Sequence, residues 1–84
     1  MLTRNDLIWK IDHGDDIMFD VRGRHYVIFT WDDEGIRILE QNKSELGQKY
    51  KTPEELVDRF VVDGSPLKDI VSEIRITNYT LVRE

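Results

Sequence analysis

The side chains best suited to chemistry gather in one acidic turn near the amino end. The segment Asp12-His13-Gly14-Asp15-Asp16 brings three carboxylates and an imidazole together, a composition that suits a divalent cation. Its spacing does not fit the calcium-loop pattern, in which aspartates alternate before a glycine and a glutamate closes the loop. Aspartate is also common in turns because it hydrogen-bonds backbone amides. We therefore expect no metal and no other cofactor.

Nucleophilic catalysis has little support. The chain has two histidines, three serines and no cysteine. Ser65 is interpreted as a helix cap and Ser44 as a loop residue, and no glycine-rich nucleophile elbow surrounds any serine. The lack of cysteine also excludes disulfides and zinc-thiolate sites. We expect a protein that is not an enzyme.

Basic residues cluster at a predicted hairpin tip and in a polar loop further along the chain. They are Arg22, Arg24, His25, Lys43, Lys49 and Lys51. Together with neighbouring aromatic rings, such a patch could hold phosphates and stack bases. However, 12 basic against 17 acidic residues give a net charge of −5, and the chain lacks a helix-turn-helix or ribonucleoprotein motif. Nucleic-acid binding is therefore the alternative function, not the leading one.

Residues 16–31 give the strongest structural signal, two β-type runs on either side of Arg22-Gly23. Glycine at the second central position of a two-residue turn supplies the positive φ that such a hairpin requires. That turn predicts a register in which these pairs face each other: Val21 with Arg24, Phe19 with Tyr26, and Ile17 with Ile28. A three-residue loop would shift the register by one residue and is the alternative.

The second run of this hairpin is apolar on both faces. The first face carries Ile17, Phe19, Val21, Tyr26 and Ile28, and the second carries Met18, Asp20, Val27, Phe29 and Trp31. An antiparallel sheet with one solvated face should alternate cleanly between apolar and polar residues. The pattern therefore predicts either cover on both faces or an exposed apolar patch.

Helix signals lie on both sides of the hairpin. Thr3 with Asp6 predicts a capped first helix that ends at Gly14, and its apolar stripe leaves Trp9 on the opposite side. Thr52-Pro53 starts a second helix, and Ser65-Pro66 starts a short third one.

The remaining elements follow from pattern and composition. Residues 36–40 are a predicted third strand, 42–51 a loop, and residues 75–82 a β-like tail that could add a fourth strand. The order is α-β-β-β-α-α-β, which defines one α+β domain over residues 1–84. We expect a three- to four-stranded antiparallel meander sheet packed with three short helices.

These features predict a non-enzymatic domain that binds a protein partner or a second copy of itself. Acidic stretches beside aromatic residues are typical of an interface with aromatic anchors, and they would suit an inhibitor or immunity-type protein that occupies a basic cleft. The candidate binding residues are Trp9, Val27, Phe29, Trp31, Asp32, Asp33 and Glu34. The start lacks an export signal, and no apolar run approaches the ~18 residues that span a membrane. The expected location is the cytoplasm.

Overall fold

The chain forms an α+β fold, as the computed structural model shows. It describes residues 1–32, 35–41, 43 and 47–81, and of residues 15, 30–32, 80 and 81 it describes the backbone only. The helices in these ranges are α1 (Arg4–His13), α2 (Pro53–Arg59) and α3 (Leu67–Ile70), the last followed by a 3-10 turn (Val71–Glu73). The strands are β1 (Gly14–Val21), β2 (Arg24–Asp32), β3 (Gly35–Glu40), β4 (Gln48–Tyr50), β5 (Val61–Val62), β6 (Ser65–Pro66) and β7 (Arg75–Leu81).

Five of these strands form one antiparallel sheet in the order β4-β3-β2-β1-β7, while β5 and β6 form a separate two-stranded sheet. The predicted fold class is confirmed, although the main sheet has one strand more than the largest sheet predicted. The additional strand is β4, which lies in the segment predicted to be a loop.

The central hairpin has the predicted register. Ile17 pairs with Ile28, Phe19 with Tyr26, and Val21 with Arg24. At the turn, φ is +51° at Arg22 and +75° at Gly23, as a type I′ turn requires. The shifted register of a three-residue loop is therefore excluded.

Local capping fixes the start of the two longer helices. The Thr3 hydroxyl accepts a hydrogen bond from the Asp6 amide, and the Asp6 carboxylate accepts one from the Thr3 amide, so the predicted capping box is complete. At α2, the Thr52 hydroxyl accepts a hydrogen bond from the amide of Glu55, and Pro53 occupies the first turn. Gly14 is the residue that ends α1, as expected.

The segment after α2 differs from the prediction. The helix ends at Arg59, and residues 61–66 form the β5-β6 hairpin, whose turn has φ of +51° at Asp63 and +83° at Gly64. Ser65 therefore lies in a strand and does not cap α3, whose N-cap is Pro66. The predicted helix cap at Ser65 is wrong because the Asp63-Gly64 turn returns the chain as a hairpin.

The hydrophobic core lies on one face of the five-stranded sheet, which we call the inner face. Each of the three described helices contributes two of the core residues: Leu7, Ile11, Leu56, Val57, Leu67 and Ile70. The sheet contributes the first face of the hairpin together with two residues of β3: Ile17, Phe19, Val21, Tyr26, Ile28, Ile36 and Ile38. All three helices are thus placed on the same side of the sheet.

An ion pair joins α1 to α2 at the surface of this core. Arg4 donates hydrogen bonds from Nε and Nη2 to the two carboxylate oxygens of Asp58, each 2.8 Å long. These bonds lower the pKa of Asp58 below its ordinary value. A carboxyl group with a lowered pKa in the folded state contributes stability above its unfolded pKa of about 3.9 and loses that contribution as pH falls through the folded pKa.

We therefore expect Asp58→Asn to lower the unfolding temperature at pH 7 and to reduce the loss of stability on acidification. The comparison is a set of thermal unfolding curves by circular dichroism between about pH 7 and pH 2, through the acid range in which the contribution of Asp58 is lost. Asp69→Asn, at an exposed position in α3, is the control that removes a carboxylate and leaves the Arg4–Asp58 ion pair in place. An unchanged slope in Asp58→Asn would contradict a stabilising role for the ion pair.

Candidate functional site

The second face of the five-stranded sheet, here called the outer face, lies opposite the three described helices. Its side chains alternate with the core residues along each strand. The strand register assigns these residues to it: Met18, Asp20, His25, Val27, Phe29, Arg37, Leu39, Lys49, Arg75 and Asn78. The outer face therefore mixes apolar residues with charges of both signs.

An apolar row crosses the middle of the outer face. Leu39 pairs with Val27, and Val27 pairs with Met18, so three apolar side chains lie side by side on β3, β2 and β1. Val27 is only 5% exposed although it lies outside the main core cluster. Half-buried Phe29 is the next outer-face residue along β2. Met18, Val27, Phe29 and Leu39 together form what we call the apolar strip.

Polar and charged residues surround the apolar strip. On one side, Phe29 pairs with Arg37, and Arg37 pairs with Lys49. On the other side, the His25 Nδ1 atom lies 2.5 Å from Asp20 Oδ1. At the β7 end of the apolar row, the Asn78 amide donates to Met18 Sδ at 4.0 Å. An apolar centre with a charged and polar rim is the usual anatomy of a protein interface.

The structure separates the predicted binding residues into two groups. Val27 and Phe29 lie on the outer face, whereas Trp9 lies on α1, on the other side of the sheet. Trp9 is 49% exposed and stacks on His13 with 4.2 Å between ring centroids. The side chains of Trp31 and Asp32, and residues 33 and 34 (Asp33 and Glu34), lie outside the described part of the chain.

Sequence reasoning missed Leu39 as a binding candidate. The alternation in β3 contained the signal, because Ile36 and Ile38 belong to the core while Arg37 and Leu39 fall between them. Met18 had been assigned to the correct face but not to the site. Leu39 and Met18 complete the apolar strip together with Val27 and Phe29, the two residues that were predicted.

The basic residues of the hairpin tip are paired with carboxylates. Arg22 donates to both carboxylate oxygens of Glu73, at 3.0 and 3.2 Å. Arg24 lies 2.9 Å from Asp63 and 3.6 Å from Glu40. These contacts raise the pKa of both arginines, so they favour ion pairing within the domain over a free cationic surface.

The two halves of the predicted basic patch lie apart. Lys49 is in β4 and lies opposite Arg37 of β3 in the strand register, and Arg37 lies opposite Phe29 of β2. Phe29 is five residues beyond Arg24, a separation of roughly 17 Å along a strand. Lys43 and Lys51 are exposed outside the strands, on the segments that precede and follow β4. The structure thus does not bring the lysines to the hairpin tip.

The acidic turn at residues 12–16 has its own local contacts. The His13 Nδ1 atom lies 2.9 Å from the Trp9 carbonyl oxygen and 3.8 Å from Asp12 Oδ2. Within the described residues, no group of three histidine, aspartate or glutamate side chains is arranged to hold a metal ion. In the same part of the chain, no helix has the length and apolar character needed to cross a membrane.

Comparisons with known proteins give no relative of this chain. No protein-family model, no curated protein and no solved structure matches it. A function must therefore be argued from the geometry alone.

Proposed function

We propose that this chain is a non-enzymatic protein-binding domain of the cytoplasm whose outer face holds a protein partner. The observation that carries the proposal is the apolar strip, which lies on the sheet face opposite all three described helices. Contiguous apolar surface rimmed by charge marks interaction sites in soluble proteins. The strip belongs to three neighbouring strands of one sheet, so it is preformed and little ordering is needed on binding.

The rim adds specificity to this surface. The Asp20–His25 pair flanks one side of the strip, and Arg37 and Lys49 flank the other. A partner with a complementary charge pattern would be oriented by these groups and would associate faster at low salt. The net charge of −5 belongs to the whole chain, whereas the strand register places three cationic side chains (Arg37, Lys49 and Arg75) and the carboxylate of Asp20 on the outer face. This face therefore suits a partner that presents groups of both signs.

Leu39→Lys is the variant that tests the outer face. Leu39 is half-buried at the end of the apolar row, so a lysine there can extend its ammonium group into water without entering the core. We expect the partner to bind at least ~10-fold more weakly, a loss of about 1.4 kcal/mol. The measurement is calorimetric titration of a purified partner, after affinity capture from cytosolic extract with the wild-type domain.

Lys68→Glu is the matched control, because Lys68 is exposed on α3, on the other side of the sheet. It should bind the partner as the wild type does, and circular dichroism should show that both variants are folded. Equal binding by Leu39→Lys, or failure of the wild-type domain to retain any partner, would contradict the proposal.

A further inference from the structure

A polar cavity of about 370 Å³ opens at the end of the inner face, close to the tip of the β1-β2 hairpin. Residues of β2, β3 and β4 form one wall, and the residues that follow α2 form the other. Sites for small molecules have volumes of roughly 300–1,000 Å³, so a small ligand fits. The lining side chains that could hold it are Arg24, Tyr26, Glu40, Gln48, Phe60 and Val61.

Strand pairing and the path of the chain after α2 bring these groups together. Tyr26 lies opposite Glu40 in the register of β2 and β3, and Gln48 begins β4 beside them. Phe60 packs edge-to-face on Tyr26, with 5.5 Å between the ring centroids. The Phe60 carbonyl oxygen accepts a hydrogen bond of 2.9 Å from the Leu67 amide, which fixes this wall to the start of α3. The cavity is therefore preformed.

The charged groups around the cavity have a net negative charge. Arg24 Nη2 lies 2.9 Å from Asp63 Oδ1, whereas Arg24 Nη1 lies 3.6 Å from Glu40 Oε1, which is beyond hydrogen-bond length. One guanidinium thus faces two carboxylates. The Glu40 side chain is only 26% exposed, and its carboxylate keeps lone pairs that can accept from a further donor. A cation is therefore favoured over an anion.

Tyr26 is affected by the same negative charge. Burial raises the pKa of the Tyr26 phenol above its ordinary value, and the nearby Glu40 carboxylate raises it further. The phenol therefore stays neutral at physiological pH and adds no charge of its own. Surroundings that disfavour a phenolate stabilise a positive charge, which agrees with the count of charged groups.

We propose that this cavity binds a guanidinium group on a short alkyl chain, with Glu40 as its counter-ion. A guanidinium donates two parallel hydrogen bonds to a carboxylate, and it is more weakly hydrated than an ammonium, so it enters a partly buried site at lower cost. The side-chain oxygen of Gln48 accepts a hydrogen bond from the Tyr50 hydroxyl at 2.6 Å and has a second lone pair for the ligand. Phe60 and Val61 provide apolar contacts for the alkyl chain.

The ligand is either a free guanidino compound or the arginine side chain of another protein, since both present the same group. The cavity lies on the inner face of the sheet, away from the apolar strip. This binding therefore goes beyond the proposed function and does not depend on it.

Titration of the isotope-labelled chain with butylguanidinium, followed by two-dimensional NMR, tests the site. We expect saturable shifts at the amides of residues 38–40, 48, 60 and 61, with a dissociation constant of about 1 mM or tighter. Butylurea has the same shape without the charge and should bind at least ~10-fold more weakly. Acetyl-arginine methylamide distinguishes the two sources. Binding as tight as that of butylguanidinium supports an arginine side chain, and weaker binding supports a free compound.

Two cavity variants and one control make the result decisive. Glu40→Gln keeps the shape of the side chain and should weaken butylguanidinium at least ~10-fold. Val61→Lys should weaken it as well, because its ammonium would repel the ligand, and Val61 is 53% exposed, so the domain should fold. Glu54→Gln removes the same charge at an exposed position of α2 and should bind as the wild type does.

Three results would overturn the proposal. They are the lack of a saturable shift up to about 10 mM butylguanidinium, equal binding of butylurea, and unchanged affinity in either cavity variant that circular dichroism shows to be folded.

Discussion

Replacing Phe19 with alanine is expected to lower the free energy of unfolding by about 3–5 kcal/mol. The Phe19 side chain is fully buried in β1, where its ring centroid lies 5.5 Å from that of Tyr26. Tyr26 in turn packs edge-to-face on Phe60, also at 5.5 Å. Truncation would remove the first ring of this series and leave a cavity between the sheet and its helices. Small domains have about 5–15 kcal/mol in total, so a large share of the stability would be lost.

Urea unfolding followed by circular dichroism measures this loss. The control is Met18→Ala, one residue earlier on the same strand but on the outer face, where the side chain is half-buried. It should lower the free energy of unfolding by about 1 kcal/mol, because less apolar area returns to water. Equal losses in the two variants would show that the outer face is as deeply buried in solution as the inner one.

Gly35→Ala is expected to destabilise the domain by about 2–6 kcal/mol, since it combines backbone strain with a steric clash. Gly35 begins β3 with φ of +136°, a conformation that residues with a Cβ atom rarely adopt. An added Cβ would lie 2.5 Å from the Tyr50 carbonyl oxygen in β4. The new methyl group would therefore push β4 away from β3.

Gly64→Ala separates the two contributions. Gly64 also has a positive φ, +83°, but no atom lies within 4 Å of the position that its Cβ would take. Only backbone strain remains, and the expected loss is about 1–2 kcal/mol. Thermal unfolding compares the two variants, and hydrogen exchange at residues 48–50 should rise only in Gly35→Ala. A larger loss in Gly64→Ala than in Gly35→Ala would argue against the close approach of Tyr50.

Features encoded within a few residues could be predicted from the sequence. Arg22-Gly23 fixed a two-residue turn, and with it the register of the whole β1-β2 hairpin. Thr3 and Thr52 defined the starts of α1 and α2, because their hydroxyls act on amides three residues away. Strands of two or three residues, such as β4 and β5, are too short to show alternation, and their positions depend on their neighbours.

The candidate site depended on contacts between distant parts of the chain. Alternation in β2 showed that both faces of this strand are apolar, but it could not show that all three described helices pack on the same face of the sheet. Because α1 packs on the inner face, Trp9 is separated from Val27 on the outer face. The ion pairing of the arginines at the hairpin tip could not be predicted either. Their partners, Asp63 for Arg24 and Glu73 for Arg22, come from segments about 40 and 50 residues away.

The position of β1 between β2 and β7 determines the order in which the fold can be completed during synthesis. Strand β1 meets β2 across a two-residue turn, but Ile17 pairs with Tyr79, which follows it by 62 residues (79 − 17). Closing so long a loop is entropically costly, so β7 joins after the hairpin has formed. A growing chain exposes β1 as its open edge until residue 81 has left the ribosome. Strand β7 then covers that edge, so the five-stranded sheet is completed by the strand that comes last in the sequence.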